Sequence, residues 1–277
     1  MTSIPDRLPL IEPILQNILQ QDYPFDALVL TLPVVSRRDG RLFELPDWLL
    51  AMQANDTRMR IVRPERDFGP VTKLMGALMT ERDNDTIIIV LDDDVYYHAN
   101  LVRRLVQYAM RDPTAAFSTS GQTFSMKANT FRGHSRRFYK QYTGCDASNW
   151  DAMSDQQVLS ECTWRVSFLN GHCGVAYRRG FFPSLTDLIR PSLDPSVSLE
   201  CERSDDMWIG MVLARQNVTR RMVHDKEFNA DLSCYNWKRF RSTPLLRKLE
   251  SYSLKHPKRL SIPKYQACIQ QVMNQTE

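Results

Sequence analysis

The sequence predicts an α/β fold: a mixed, mostly parallel sheet flanked by helices in a single domain. Three observations carry this. Residues 1–110 alternate segments of helical periodicity with short apolar runs, the pattern of strands joined by crossover helices. Two of these runs, Ala27 to Leu32 and Ile87 to Leu91, read as buried strands. The most apolar of them leads directly into three carboxylates, Asp92-Asp93-Asp94.

The elements follow in order. Leu8 to Gln21 has helical spacing at Leu10, Ile11, Ile14, Leu15, Ile18 and Leu19, and Asp22-Tyr23-Pro24 ends it. Ala27 to Leu32 reads as a buried strand stopped by Pro33. A charged loop, Ser36 to Leu45, precedes a short helix at Pro46 to Gln53 and a strand at Met59 to Arg63. Val71 to Thr80 predicts a helix, Thr86 to Leu91 a strand, and Ala99 to Met110 an amphipathic helix. Beyond Asp112-Pro113, Ala115 to Ser120 predicts a strand, and Phe124 to Asp155 reads as loops. Val166 to Tyr177 is strand-like but interrupted by Gly171 and Gly174; Asp205 to Arg215 is helical, and Val218 to Val223 is a strand. We divide the chain into residues 1–110, 111–232 and a basic extension, 233–277.

Composition narrows the function. The 277 residues are 43% hydrophobic and 25% charged, with a net charge of +4. Basic residues bunch only locally, at Arg136-Arg137, Arg220-Arg221 and Lys238 to Arg241, without the dense basic face of a nucleic-acid binder. No apolar run approaches the ~20 residues that span a bilayer, and the first residues lack the basic and apolar regions of a secretory signal. A cytoplasmic location is expected. The six cysteines include no Cys-x-x-Cys pair, which argues against a zinc site and suggests free thiols in a reducing compartment. In such a compartment the Asn-x-Thr sequons at Asn55, Asn84, Asn217 and Asn274 carry no information.

Three adjacent carboxylates repel one another unless solvated or neutralised by a cation. At the carboxyl end of a strand they lie where α/β sheets bind ligands. Alternation along an extended chain aims Asp92 and Asp94 the same way, fit to grip one divalent cation or one nucleotide ligand. Hard oxygen ligands favour Mg²⁺ or Mn²⁺, which bridge diphosphates. A solvated acidic turn is the plainer reading, but a turn does not require three carboxylates directly after a buried strand.

At this point the sequence resembles the GT-A glycosyltransferases, whose DxD motif occupies this position. The segments TSIPDR (Thr2 to Arg7), DFGPVTK (Asp67 to Lys73) and LDDDVYY (Leu91 to Tyr97) together resemble small microbial and large-virus transferases. NGHCGVAYR (Asn170 to Arg178) is similar to the glycine-bearing loop of that fold, and SDDMWIG (Ser204 to Gly210) to the xED motif at the start of its catalytic helix. His224 matches a C-terminal metal-binding histidine. Asp205 departs from the pattern, standing where Glu is usual.

The resemblance implies a nucleotide-diphospho-sugar donor, a glycan acceptor, and Mn²⁺ or Mg²⁺ held by Asp94, Asp92 and His224. It implies donor contacts from Arg7, Asp67, Lys73, Asp92, Asp93, Gly171 and Gly174. Arg7 and Lys73 would meet phosphates, Asp67 the ribose or base, and the two glycines would admit the donor sugar close to backbone. Asp206, in the first turn of its helix after a Ser204 cap, is the expected catalytic base of an inverting transfer, and Asp205 the expected acceptor contact. A UDP-sugar is favoured, UDP-xylose among them, and the viral likeness suggests a viral surface glycan as the product. Apart from the resemblance, Phe138, Tyr139, Tyr142, Trp150 and Trp164 form an aromatic set suited equally to stacking on sugar rings and to a satellite core. Two other readings remain at this stage: a phosphohydrolase or phosphotransferase with an Asp nucleophile, and a non-catalytic glycan-binding module.

Overall fold

The computed structural model describes residues 1–125, 130–133, 152–193 and 205–223. The first predicted helix is divided. A 3-10 turn over Leu8–Leu10 is followed by α1 (Glu12–Leu19), with Pro13 in its first turn. A single helix from Leu8 would bury Pro13 in its interior, without an N–H to donate, so the helix starts again where proline is tolerated. The next elements fall close to expectation: β1 (Leu28–Thr31), α2 (Asp47–Asn55), β2 (Met59–Val62), α3 (Thr72–Thr80), β3 (Ile87–Val90), α4 (Leu101–Arg111) and β4 (Ala115–Ser118).

Beyond β4 the expected loops contain more structure. β5 (Gly121–Ser125) and β6 (Thr130–Gly133) pair antiparallel, with Gln122 opposite Gly133. Each is too short to display alternation, and the pairing between them supplies what the pattern lacks. α5 (Asp155–Cys162) opens with a capping box in which the Ser154 hydroxyl accepts from the Gln157 N–H and the Gln157 side chain reaches back. β7 (Thr163–Arg165) precedes the strand-like stretch from Val166, which resolves into β8 (Phe168–Leu169), a 3-10 turn over Gly171–Cys173, and β9 (Val175–Arg178). α6 (Leu185–Leu193), α7 (Asp205–Arg215) and β10 (Thr219–Val223) complete the described elements.

The main sheet has five strands in the order β3-β9-β4-β10-β7. β4 and β10 are parallel; β9 runs antiparallel to both β3 and β4, and β7 antiparallel to β10. β3, β4 and β10 therefore point one way, with reversed strands interleaved. The sheet is mixed as predicted, but its hydrogen-bonded neighbours are more often antiparallel than the helix–strand alternation of the first half implied. β1 and β2 form a separate parallel pair, and β6-β5-β8 a small antiparallel sheet.

β3 shows why its sequence is apolar throughout. Ile88 and Val90 belong to a core cluster with Leu74, Leu78, Val175 and Trp208, whereas Ile87 and Ile89 pack against a second one containing Leu105, Tyr108 and Phe117. Both faces of the strand pack against core, with Ile87 and Ile89 partly buried, so polar alternation has no place in it.

One expectation is overturned. The described cysteines, Cys162 and Cys173, are both disulfide-bonded, and none among the described residues is free. Wide spacing in sequence says little about distance in a folded chain, and both side chains are buried, at 0% and 2% exposure. No helix among the described residues is long and apolar enough to cross a membrane.

Candidate active site

β3 delivers the acidic cluster. After buried Leu91 the chain turns at Asp93-Asp94, so the extended alternation that would aim Asp92 and Asp94 together is not kept. Asp93 and Asp94 instead share Arg7, whose guanidinium lies 2.8 Å from Asp93 Oδ1 and 2.7 Å from Asp94 Oδ2. Asp93 is 2% exposed and also accepts from the Ser3 hydroxyl at 2.5 Å, which makes it an anchor rather than an open ligand. Asp92 turns to Lys73 on α3, whose Nζ donates to its Oδ1 at 3.0 Å.

Lys73 joins this wall to α7. Its Nζ is 2.9 Å from Asp205 Oδ2, an ion pair without hydrogen-bond alignment. Asp206, the next residue, accepts the Gly171 N–H on Oδ1 at 2.9 Å. A Cβ on Gly171 would sit 2.8 Å from both Asp206 Oδ1 and Lys73 Nζ, so any larger residue would displace the ends of these two side chains. Arg7, Lys73, Asp92, Asp93, Asp94, Gly171, Asp205 and Asp206 thus form one constellation drawn from the N-terminal segment, α3, the end of β3, the 3-10 turn and α7.

Its electrostatics follow from burial and proximity. Burial works against the Lys73 ammonium, but Asp205, Asp92 and Asp206 outweigh it and hold its pKa well above the ordinary value. Burial likewise disfavours charge on Asp92, yet the adjacent Lys73 keeps its pKa below normal. Burial raises Asp93 to about 6, with Arg7 opposing and Asp94 adding to the rise. Burial, then repulsion by Asp205, raises Asp206 to about 8, against the pull of Lys73.

Other predicted residues lie elsewhere. Asp67 is occupied locally: its oxygens accept from the Gly69 N–H, the Thr72 hydroxyl and the Arg37 N–H, shaping the turn into α3. Gly174, at φ 82°, faces α4, where a Cβ would meet Leu101 at 2.9 Å; its demand for glycine comes from the core and the left-handed backbone. Trp164 lies in β7 opposite Met222 and packs against the core, not in a loop open to sugars. His224, Ser204, Phe138, Tyr139, Tyr142, Trp150 and the extension 233–277 lie outside the described residues.

Sequence reasoning missed Tyr97. Its hydroxyl accepts the Asp92 N–H at 2.8 Å and donates to the His172 carbonyl at 3.2 Å. Asn17 clamps its backbone from both sides, accepting the Tyr97 N–H at 2.8 Å and donating to its carbonyl at 3.0 Å. A tyrosine five residues after a carboxylate at a strand end was the available signal.

The family model described as "Glycosyl transferase family 2" matches residues 8–184, more than half of the chain. The chain belongs to glycosyl transferase family 2. This transferase is a nucleotide-sugar glycosyltransferase of GT-A fold, with an acceptor molecule as its second partner. The phosphohydrolase reading falls with that assignment. No curated protein sequence matches the transferase significantly. Among solved structures it is similar to residues 1–349 of TarS from S. aureus, at 13% identity over 96% of this chain and 77% of that one. The TM-score is 0.47, a likeness too loose to add to the family assignment.

Members of this family often use a divalent metal. Among the described residues no three His, Cys, Asp or Glu side chains converge to hold one unaided. The donor chemistry fits nonetheless. Five carboxylates (Asp92, Asp93, Asp94, Asp205, Asp206) face two cations, Arg7 and Lys73. Mg²⁺-type sites commonly take only one or two carboxylates and complete their shell with substrate phosphates and water.

Proposed function

We propose that this transferase moves a sugar from a nucleotide-diphospho-sugar, a UDP-sugar foremost and UDP-xylose among the candidates, to a hydroxyl of a glycan, with inversion. Asp206 is the base. The single observation that supports this is the meeting of Asp206 with the acidic cluster across Lys73 and Gly171, two carboxylate groups from distant elements on one site. In the transfer, the acceptor oxygen forms its bond to the anomeric carbon as the bond to the donor phosphate breaks, and Asp206 Oδ takes the hydroxyl proton.

Each remaining residue serves that step. The Gly171 N–H holds the Asp206 carboxylate in place, leaving one oxygen for the acceptor. Asp205 shares Lys73 with Asp92 and so ties α7 to the donor wall. Arg7 fixes Asp93 and Asp94. Asp94 and Asp92 would hold Mn²⁺ or Mg²⁺, with His224 as a further ligand; such an ion would neutralise charge on the leaving diphosphate. The N-terminal half through residue 110 supplies the donor wall, and residues 111–232 the base and acceptor side.

A thermal-shift screen of nucleotide sugars with and without Mn²⁺ identifies the donor, because a true donor stabilises by mass action. Transfer with that donor then compares wild type with Asp206→Asn. We expect Asp206→Asn to lose about 10²–10⁴-fold in rate with donor stabilisation retained. Full transfer by this variant would remove Asp206 as base, and loss of donor binding would make it a binding residue instead. The anomeric configuration of the product, read by NMR, tests inversion.

A further inference from the structure

Two features that the transfer leaves unused point to one conclusion. The first is the disulfide bonding of Cys162 and Cys173, both buried. Structural disulfides persist in oxidising compartments and are rare where cellular reductants keep thiols reduced. The second is the placement of the Asn-x-Thr sequons. Asn55, Asn84 and Asn217 are all exposed, and each stands in the connection that leads into a strand: Asn55 closes α2 before β2, Asn84 precedes β3, and Asn217 precedes β10. In an oxidising secretory lumen, exposed Asn-x-Thr is the acceptor sequence for N-linked glycans.

We propose that Asn55, Asn84 and Asn217 are N-glycosylation sites and that this chain works in an oxidising lumen, in place of the cytoplasm expected from its first residues.

The geometry suits this. β3 and β10 run in the same direction within one sheet, so Asn84 and Asn217 lie at the edge where those strands begin. The acidic cluster lies beyond the other end of β3. Glycans on that edge leave the mouth of the site open. Turn chemistry explains part of the pattern: Asn217 adopts φ 57°, a left-handed conformation that asparagine tolerates. It explains neither Thr219 nor the Asn-Asp-Thr runs at Asn55 and Asn84, where no such backbone is needed.

The modification needs a co-reactant, an oligosaccharide carried on a lipid diphosphate, and a separate transfer enzyme. The asparagine amide nitrogen forms a bond to C1 of the oligosaccharide as the C1–O bond breaks. The lipid diphosphate leaves with the electron pair, and the amide proton passes to a base of that enzyme.

The test uses the full chain purified from the cells that make it, treated with a peptide N-glycosidase, which leaves aspartate where a glycan was attached. We expect the intact mass to fall in discrete steps and peptide mapping to find aspartate at positions 55, 84 and 217. Asn55→Gln, Asn84→Gln and Asn217→Gln, expressed in the same cells, should each remove one step and keep transfer activity. Unchanged mass with asparagine at all three positions overturns the proposal, as does modification confined to Asn274. Because the readout is mass, failure of the transferase reading leaves this test intact.

Discussion

A carboxylate that must accept a proton is most useful near the pH at which it works, and Asp206 is placed for this by burial and by its neighbour Asp205. If Asp206 acts as the base in its ionised form, kcat/KM should climb about tenfold per pH unit below pH ~8 and level off above it. The same slope should vanish in Asp206→Asn. Stability runs the other way. The folded pKa lies above the ordinary 3.8, so the folded state binds the extra proton between pH ~4 and ~8 and loses stability as pH rises through that window. Melting curves of wild type and Asp206→Asn should therefore draw apart between pH 5 and 8, wild type falling more steeply; parallel curves would deny the raised pKa. Gly171→Ala tests the space itself. A methyl group there meets Lys73 Nζ and Asp206 Oδ1 at 2.8 Å, so overpacking should cost about 1–3 kcal/mol in chemical denaturation and lower kcat more than it raises donor KM.

Between elements, the hydroxyl of Tyr97 links Asp92, two residues past β3, to the turn before β9. Tyr97→Phe leaves the partly buried Asp92 N–H without its acceptor, a loss of about 1 kcal/mol in stability. If the link also positions the site, amide exchange should quicken over residues 170–173 as well as at Asp92, and kcat should fall with little change in donor KM. Quickening confined to Asp92 would reduce Tyr97 to a local brace. Much at this level was legible in the sequence. β3, its aspartates and the start of α7 were readable because an apolar run breaks abruptly into charge, and Asp205 to Arg215 matches its helix end to end. The division at Pro13 and the Ser154–Gln157 capping box carried signals that local rules recognise. The β5–β6 hairpin did not, since two strands of four or five residues show their nature only in their pairing. Nor could spacing reveal that Asp92 would face Lys73 while Asp93 and Asp94 face Arg7; those partners lie 19, 86 and 87 residues away in the chain, and only the tertiary fold selects them.

For the whole molecule, the disulfides are the feature furthest from the sequence reading. Cys173 lies in the turn that begins at Gly171, so its cross-link restrains the segment that holds Asp206. Treatment with dithiothreitol should lower unfolding free energy by about 2–5 kcal/mol per bridge removed, measured by denaturant titration under matched oxidising and reducing conditions. It should also depress transfer before global unfolding sets in; identical titrations would mean that the bridges contribute nothing to the native state.

The reversed direction of β9 has a consequence for how the site can change. Val90, the last residue of β3, stands opposite Val175, the first of β9. A chain ascending one strand and a chain about to descend the next therefore meet at the same rim, which brings the acidic cluster and the Gly171 turn together without any added crossover. The ladder between these strands acts as a ruler. Sliding β9 by two residues would keep every side chain on its proper face yet carry the Gly171 turn some 6–7 Å along the strand axis, out of reach of both Asp206 and Tyr97. Insertions on the far side of the sheet leave that ruler untouched, whereas a two-residue insertion between Gly171 and Val175 is expected to part the Gly171 N–H from Asp206, which loss of transfer at an unchanged melting temperature would report.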